Sequence, residues 1–443
     1  MPRRLAEQSI LFISVLKWVV LATIMGVIVG LSTSGFLLAL KASTLYAAKF
    51  RYFFVSLPVA FFLSAWIIKK FAPEAEGHGT EKVIEAVHKQ SGRIKGAVVP
   101  VKLIATIVTL MAGGSAGKEG PCAQIGAGLC SLFADLFRFD DQDRRKLVIC
   151  GISAGFASVF GTPIGGAIFG VEVLFVGSLM YDVLLPSFIA GVTSFQISSA
   201  LGVSYFYHPI TFIPVFSEAF FLKVVLAGVF FGLCSFLMVE ILRSTERLSS
   251  WLKISKPLKG ILGGTALMAL AFIYSSRYLG LGLETIEGTL NGQNVPWDAF
   301  LVKSLFTGVT LSFGGSGGIV TPIFFVGATA GNLFARLMGL HPATFSAIGL
   351  VSLLAGAANT PIAASIMAVE LFGTQVAPYA AVACVISFLM TGHRGVYPSQ
   401  ILSVKKSPSL MVQLGQELEG VTTKVWPRKR FLLWILRKLK RSK

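Results

Sequence analysis

Apolar residues run in long blocks along the chain, at about 9–48, 52–70, 98–114, 121–138, 147–206, 214–242, 257–280, 297–313, 319–340 and 344–392. A helix needs roughly 20 apolar residues to cross a bilayer, so these blocks hold about ten or more spans. Many are broken by glycine or proline, and 46 glycines are spread through them. That pattern suits close helix packing and helices that stop partway through the membrane. The polar intervals are short, the largest being 72–96, 139–146, 280–296 and the stretch from 393. No soluble domain fits between them. The pattern predicts an all-α polytopic membrane protein, with one membrane domain over 1–402 and a basic extension over 403–443.

Composition agrees: 54% of the 443 residues are apolar and 14% charged, against about 25% charged in soluble domains. Lys and Arg number 39 and Asp and Glu 21, a net charge of +18. In a membrane protein this excess marks cytoplasmic loops, not nucleic-acid binding. Arg3 and Arg4 at one end and Arg428, Lys429, Arg430, Arg437, Lys438, Lys440, Arg441 and Lys443 at the other place both termini in the cytoplasm. Lys82, Lys89, Arg93 and Lys95 join them, as do Arg144, Arg145 and Lys146. The segment 426–443 mixes its cations with Trp426, Phe431, Trp434 and Leu436, which reads as an interfacial helix on anionic lipid or as a solvated tail. The first apolar run lacks a small-residue cleavage site and reads as a retained helix. The five cysteines form no CxxC pair and the five histidines have no ligand spacing, so neither disulfides, metal nor cofactor are expected. No HExxH or GxSxG appears, which argues against an intramembrane enzyme.

The chain repeats itself. Residues 151–175 and 349–373 align without gaps at eight identical positions, among them Thr162/Thr360, Pro163/Pro361 and Glu172/Glu370. Each is preceded by a Gly-rich break with a proline, 113–128 and 314–331. Two motifs in the same order at nearly the same spacing make two repeats, about 15–205 and 215–402. Paired halves with interrupted helices characterise transporters that bind substrate near the midplane.

Non-helical backbone survives in lipid only where protein or a water-filled cavity satisfies it. Helix N-termini then present free N–H groups and a partial positive charge, which suit an anion. Two such starts converging at mid-membrane would hold an anion without a buried lysine, which binds too tightly to release it. A phosphate-binding loop is excluded for GGSAGK, because Ala112 and Glu119 stand where the template needs Gly and Ser or Thr. Glu119, a carboxylate in an apolar break, is a functional candidate by default. Ionised, it would fill the anion site; protonated, it would leave. The plainer reading is a capping group at a helix start.

These motifs resemble the ClC family of chloride channels and proton-coupled chloride antiporters. Gly117-Lys118-Glu119-Gly120-Pro121 is similar to its G-[KR]-E-G-P motif and Gly318-Ile319-Val320-Thr321-Pro322 to its G-x-F-x-P motif. The segments around Pro163 and Pro361 and the HRGVYPSQIL run (393–402) resemble it too. The resemblance spans about residues 15–402. It implies an inverted-repeat architecture of tilted, partly spanning helices, a homodimer, and one anion path per subunit. It further implies Glu119 as the gate, backbone amides of Ile319 and Val320 at the anion, and the Tyr397 hydroxyl beside it. Gly117, Lys118 and Gly120 belong to the same anion-binding motif. Chloride or a similar anion, protons and membrane lipid are the implied partners, and a prokaryotic plasma membrane the implied location, since no regulatory domain pair follows residue 402.

Three positions depart from the family. Gly77-His78-Gly79 stands where G-S-G is usual, so His78 replaces the anion-coordinating serine. The turn's N–H groups can still serve, and His78 either adds a donor or faces the cytoplasmic vestibule. Val320 replaces a pore-narrowing phenylalanine. Val173 replaces the internal proton-transfer glutamate, with Glu172 beside it as a candidate for the proton path. Valine carries no proton, which tilts the reading towards a chloride channel over a proton/chloride antiporter. A fluoride exporter of the family is a weaker variant because Tyr397 is present. A cation or solute transporter with inverted repeats is the alternative from another class. The second break carries no carboxylate for a cation.

Overall fold

The computed structural model describes residues 2–210 and 217–425. The basic segment 426–443, read above as an interfacial helix or solvated tail, lies outside them. The described residues form sixteen α-helices. The first eight are α1 (Pro2–Ala48), α2 (Leu57–Phe71), α3 (Thr80–Lys89), α4 (Val98–Met111), α5 (Glu119–Leu136), α6 (Asp141–Phe160), α7 (Pro163–Glu172) and α8 (Tyr181–Ala200). The second eight are α9 (Glu218–Trp251), α10 (Lys256–Ile273), α11 (Leu283–Leu290), α12 (Ala299–Ser312), α13 (Val320–Met338), α14 (Pro342–Ala357), α15 (Pro361–Phe372) and α16 (Ala377–Thr391). The two series match in length where the site is built: α4 and α12 both have 14 residues, and α5 and α13 have 18 and 19.

The long apolar runs are cut by local backbone chemistry. Gly161 ends α6 in the left-handed conformation (φ 69°), and Pro163 opens α7 two residues later. In the second half Asn359 (φ 57°) and Pro361 do the same between α14 and α15. Proline at a first helical position loses no intrahelical bond, and its fixed φ suits the start. The freed amides find carboxylates across the molecule. Glu370 accepts from Ile164 N (2.9 Å) and Gly165 N (2.7 Å) at the start of α7. Glu172 accepts from Ile362 N (3.1 Å) and Ala363 N (2.8 Å) at the start of α15.

Small residues let the helices touch backbone to backbone, the packing membranes favour. A Cβ on Gly126 of α5 would stand 2.4 Å from the Gly151 carbonyl of α6, and one on Gly327 of α13 2.4 Å from that of Gly349 in α14. Among the described residues six helices are long and apolar enough to cross a membrane. Among them α1 and α9 present Ile10, Phe12, Leu222 and Leu233 outward, whereas α13 is enclosed by protein. Apolar exterior and enclosed α13 together place the polar breaks in the interior.

After α16 the chain turns back. β2 (Ile401–Leu402) pairs in parallel with β1 (Phe175–Val176), and β3 (Leu410–Met411) pairs antiparallel with β4 (Lys424–Val425). Gln400 Nε2 donates to the carbonyls of Val173 (2.8 Å) and Ala358 (2.9 Å). These bonds hold the returning segment in the core, where Tyr397 is fully buried.

Candidate anion site

The two Gly-rich breaks meet. Gly117 N donates to Gly318 O and Gly318 N to Gly117 O, both at 2.7 Å, an isolated two-residue bridge. Its flanks are symmetric. Ser115 N donates to Thr310 Oγ1 (3.0 Å) and Ser316 N to Thr109 Oγ1 (2.9 Å). The hydroxyls of Ser115 and Thr307, and of Thr106 and Ser316, pair at 3.2 Å. Hence the irregular backbone at membrane depth keeps its partners.

The bridge sets α5 and α13 with their N-termini converging. Glu119 opens α5 and is fully buried. Its carboxylate crosses to the start of α13, accepting from Val320 N and from Thr321 Oγ1 (2.8 Å). It also accepts from Lys118 N at 2.8 Å. Two backbone amides and a hydroxyl thus surround one carboxyl group at a helix N-terminus, the surroundings an anion would want. Ile319, buried, is the residue immediately before α13. The Gly117 amide is committed to the bridge and is not turned to the carboxylate.

A turn before α3 closes the other side. Gly79 has φ 84°, and a Cβ on it would stand 2.5 Å from the Gly120 carbonyl. A Cβ on Gly120 would lie 1.9 Å from the His78 carbonyl. Only glycines allow these backbones to touch. Lys102, fully buried on α4, ties the turn down by donating to Ala75 O (3.1 Å) and Gly77 O (2.6 Å). Lys303 of α12 repeats this on Tyr278 O (3.0 Å) and Gly280 O (2.9 Å). A buried ammonium in an apolar wall needs such carbonyls.

The His78 and Tyr397 rings lie 5.5 Å apart. His78 Nδ1 and Tyr397 Oη are both buried and without hydrogen-bond partners. Unpartnered buried polar atoms are costly, and a ligand that reached them would relieve that cost. Tyr397 is also within electrostatic reach of Glu119. A cavity of about 360 Å³ borders Lys118 and Thr321. Lys41, Lys118, Tyr205, Glu287, Thr321 and Phe324 are among its lining residues, so it reaches the Glu119 hydroxyl donor.

The structure therefore brings Gly77, His78, Gly79, Gly117, Lys118, Glu119, Gly120, Ile319, Val320 and Tyr397 to one place. Glu172 stands apart, with both carboxylate oxygens on the α15 amides. Sequence reasoning did not single out Thr321 or Lys303. The repeat offset offered a signal for Lys303 alone: Lys102 stands 201 positions before it, as Glu119 stands 201 before Val320, and nothing of the kind marks Thr321.

Two interrupted helices aimed at an enclosed midpoint, within inverted repeats, define a membrane pathway for small anions. The comparisons with known proteins agree. The voltage gated chloride channel family model matches residues 60–392, and the chain belongs to that family, the ClC proteins. A chloride/fluoride channel protein of Pseudomonas syringae pv. tomato is 37% identical over 407 residues, covering 90% of this chain and 89% of the relative. A CLC-type fluoride/proton antiporter structure superposes with a TM-score of 0.83 at 27% identity, over 87% of this chain and 98% of that one. A slow cyanobacterial Cl⁻/H⁺ antiporter shares the fold with a TM-score of 0.75 at 21% identity, over 84% and 94%.

Proposed function

We propose that this chain exchanges halide ions, chloride and fluoride among them, for protons across a prokaryotic inner membrane, with both termini cytoplasmic and Glu119 as the shared gate. The observation that carries the reading is the Glu119 carboxylate held by Val320 N, Lys118 N and Thr321 Oγ1. These donors favour any small anion, so carboxylate and halide compete for them. A proton neutralises the carboxyl and frees the donors, which couples the two ions. The names of the relatives above support both halides and proton exchange.

In this reading the anion moves between the Val320 amide and the donors of His78 and Tyr397, with Gly77 and Gly79 shaping the wall. Passive uniport is the second reading, favoured by Val173, whose side chain carries no proton. A two-fold homodimer, implied by the family resemblance, is part of this reading. Liposomes holding the purified protein, with a chloride or fluoride gradient, decide between exchange and uniport. Under exchange the reversal potential moves when a pH gradient is imposed at fixed halide. Under uniport it stays at the halide's equilibrium value.

A further inference from the structure

Exchange needs a way for protons to reach a gate enclosed by protein, and Val173 offers none. Another carboxylate stands beside the site. Glu81 lies in the first turn of α3, three residues after His78. Its Oε1 accepts from Ser399 N (2.9 Å) and from Ser399 Oγ. Its Oε2 is buried and has no hydrogen-bond partner. A buried carboxylate oxygen without a donor is costly unless it is protonated or meets water.

The surroundings of Glu81 point two ways. Inward, Ser399 is two residues from Tyr397, and Tyr397 is within electrostatic reach of both Glu81 and Glu119. Outward, Glu85 lies one helical turn further along the same face. Glu85 pairs with Lys82 (2.8 Å) and Lys89 (3.8 Å), and Lys89 reaches Glu417 (2.9 Å), all partly exposed. The charged neighbours of Glu81 on its own helix are Lys82 and Glu85. Ser399 and Tyr397 face it from the returning segment. Burial pushes the Glu81 carboxyl up to about 7, against the pull of the two Ser399 bonds. Both protonation states are then populated near neutral pH, as a proton carrier requires.

We propose that Glu81 is the carboxyl that passes protons between the exposed face of α3 and the Glu119 gate. The inference rests on the exchange reading above. The proton is taken up at Oε2 and released inward past Tyr397 and His78 to the Glu119 carboxylate. Only O–H bonds form and break, and Glu119, once neutral, gives up the Val320 amide to the halide. Glu81 touches no halide in this scheme; it sets how protons arrive.

The test uses the full chain in liposomes, with halide efflux followed by an ion-selective electrode and proton uptake by a pH electrode, for chloride and for fluoride. Wild type is expected to take up protons against their gradient as halide leaves. Glu81→Gln is expected to keep halide efflux while proton uptake falls about tenfold or more. Glu85→Gln, whose partly exposed side chain pairs with Lys82 and Lys89, changes both fluxes little. If Glu81→Gln moves protons as wild type does, the inference is overturned and exchange stands. If wild type moves no protons, both fall. If Glu81→Gln also stops the halide, the isosteric pair Glu81→Asp and Glu81→Asn decides, with coupling in Asp alone supporting the inference and equal behaviour overturning it. Loss of halide flux in every variant also overturns it, because Glu81 would then belong to the anion wall.

Discussion

The Cα of Gly117 lies directly beneath the carboxylate of Glu119. A methyl built on Gly117 would stand 2.1 Å from Oε1 and 2.3 Å from Oε2, and its three nearest neighbours all belong to that carboxyl group. The strain of Gly117→Ala therefore falls first on that flexible side chain, which must swing away. The variant is expected to fold, with stability changed by less than about 1 kcal/mol. Its gate is held out of the site. Halide efflux from liposomes should rise and proton uptake should vanish, as in Glu119→Gln. The double variant should match Glu119→Gln alone; additional loss in the double would mean that Gly117 acts elsewhere.

Thr321 gives the Glu119 carboxylate a hydroxyl donor at 2.8 Å. Thr321→Val keeps the shape and removes that donor. A hydrogen bond to a charged group contributes about 1.5–3 kcal/mol. The carboxylate therefore leaves the site more readily, and halide flux at fixed pH should rise about tenfold or more, since 1.4 kcal/mol is one decade. Flux unchanged in Thr321→Val would show that the amides of Lys118 and Val320 hold the gate unaided. Serine at 321 should restore the wild-type flux.

Much of this architecture was legible because lipid punishes irregular backbone. Gly-rich breaks inside apolar runs stand out, and Glu119 stands out further as a carboxylate within one. Pro163 and Pro361 marked real helix starts for the same reason. What was not legible depends on packing across some 200 residues. No local pattern says that Gly117 bonds to Gly318, or that Glu172 and Glu370 each cap the other half's helix. Glu81 lies on α3, whose charged face reads as solvated surface. Only the return of residues 393–402 into the core covers it with Ser399 and sets Tyr397 beside it. Thr321 passed as an ordinary helix-start residue until Glu119 was seen to reach across.

His78 brings a ring nitrogen without a partner to the same place as the Tyr397 hydroxyl. Serine there would leave more room and a shorter donor. His78→Ser should therefore move the preference towards the larger halide. The ratio of chloride to fluoride efflux, measured in one liposome preparation, is expected to rise several-fold, about 1 kcal/mol of discrimination. An unchanged ratio would place His78 outside the ion's path. His78→Ala separates the two contributions, because it creates the space and supplies no donor.

Lys102 and Lys303 are structural twins with different neighbours. Each buried ammonium donates to two carbonyls, but only the Lys102 carbonyls belong to the turn that carries His78. Replacing either lysine by methionine strands two buried acceptors, at a cost of about 1–3 kcal/mol each. Both variants should melt at lower temperature in detergent, and by similar amounts. Their transport should differ. Lys102→Met frees the turn at Gly77 and is expected to alter the chloride to fluoride ratio in the same liposome assay. Lys303→Met, whose partners Tyr278 and Gly280 do not belong to that turn, should lower the melting temperature and leave the ratio alone. Equal shifts in both variants would mean that selectivity follows overall stability and not the placement of the His78 turn.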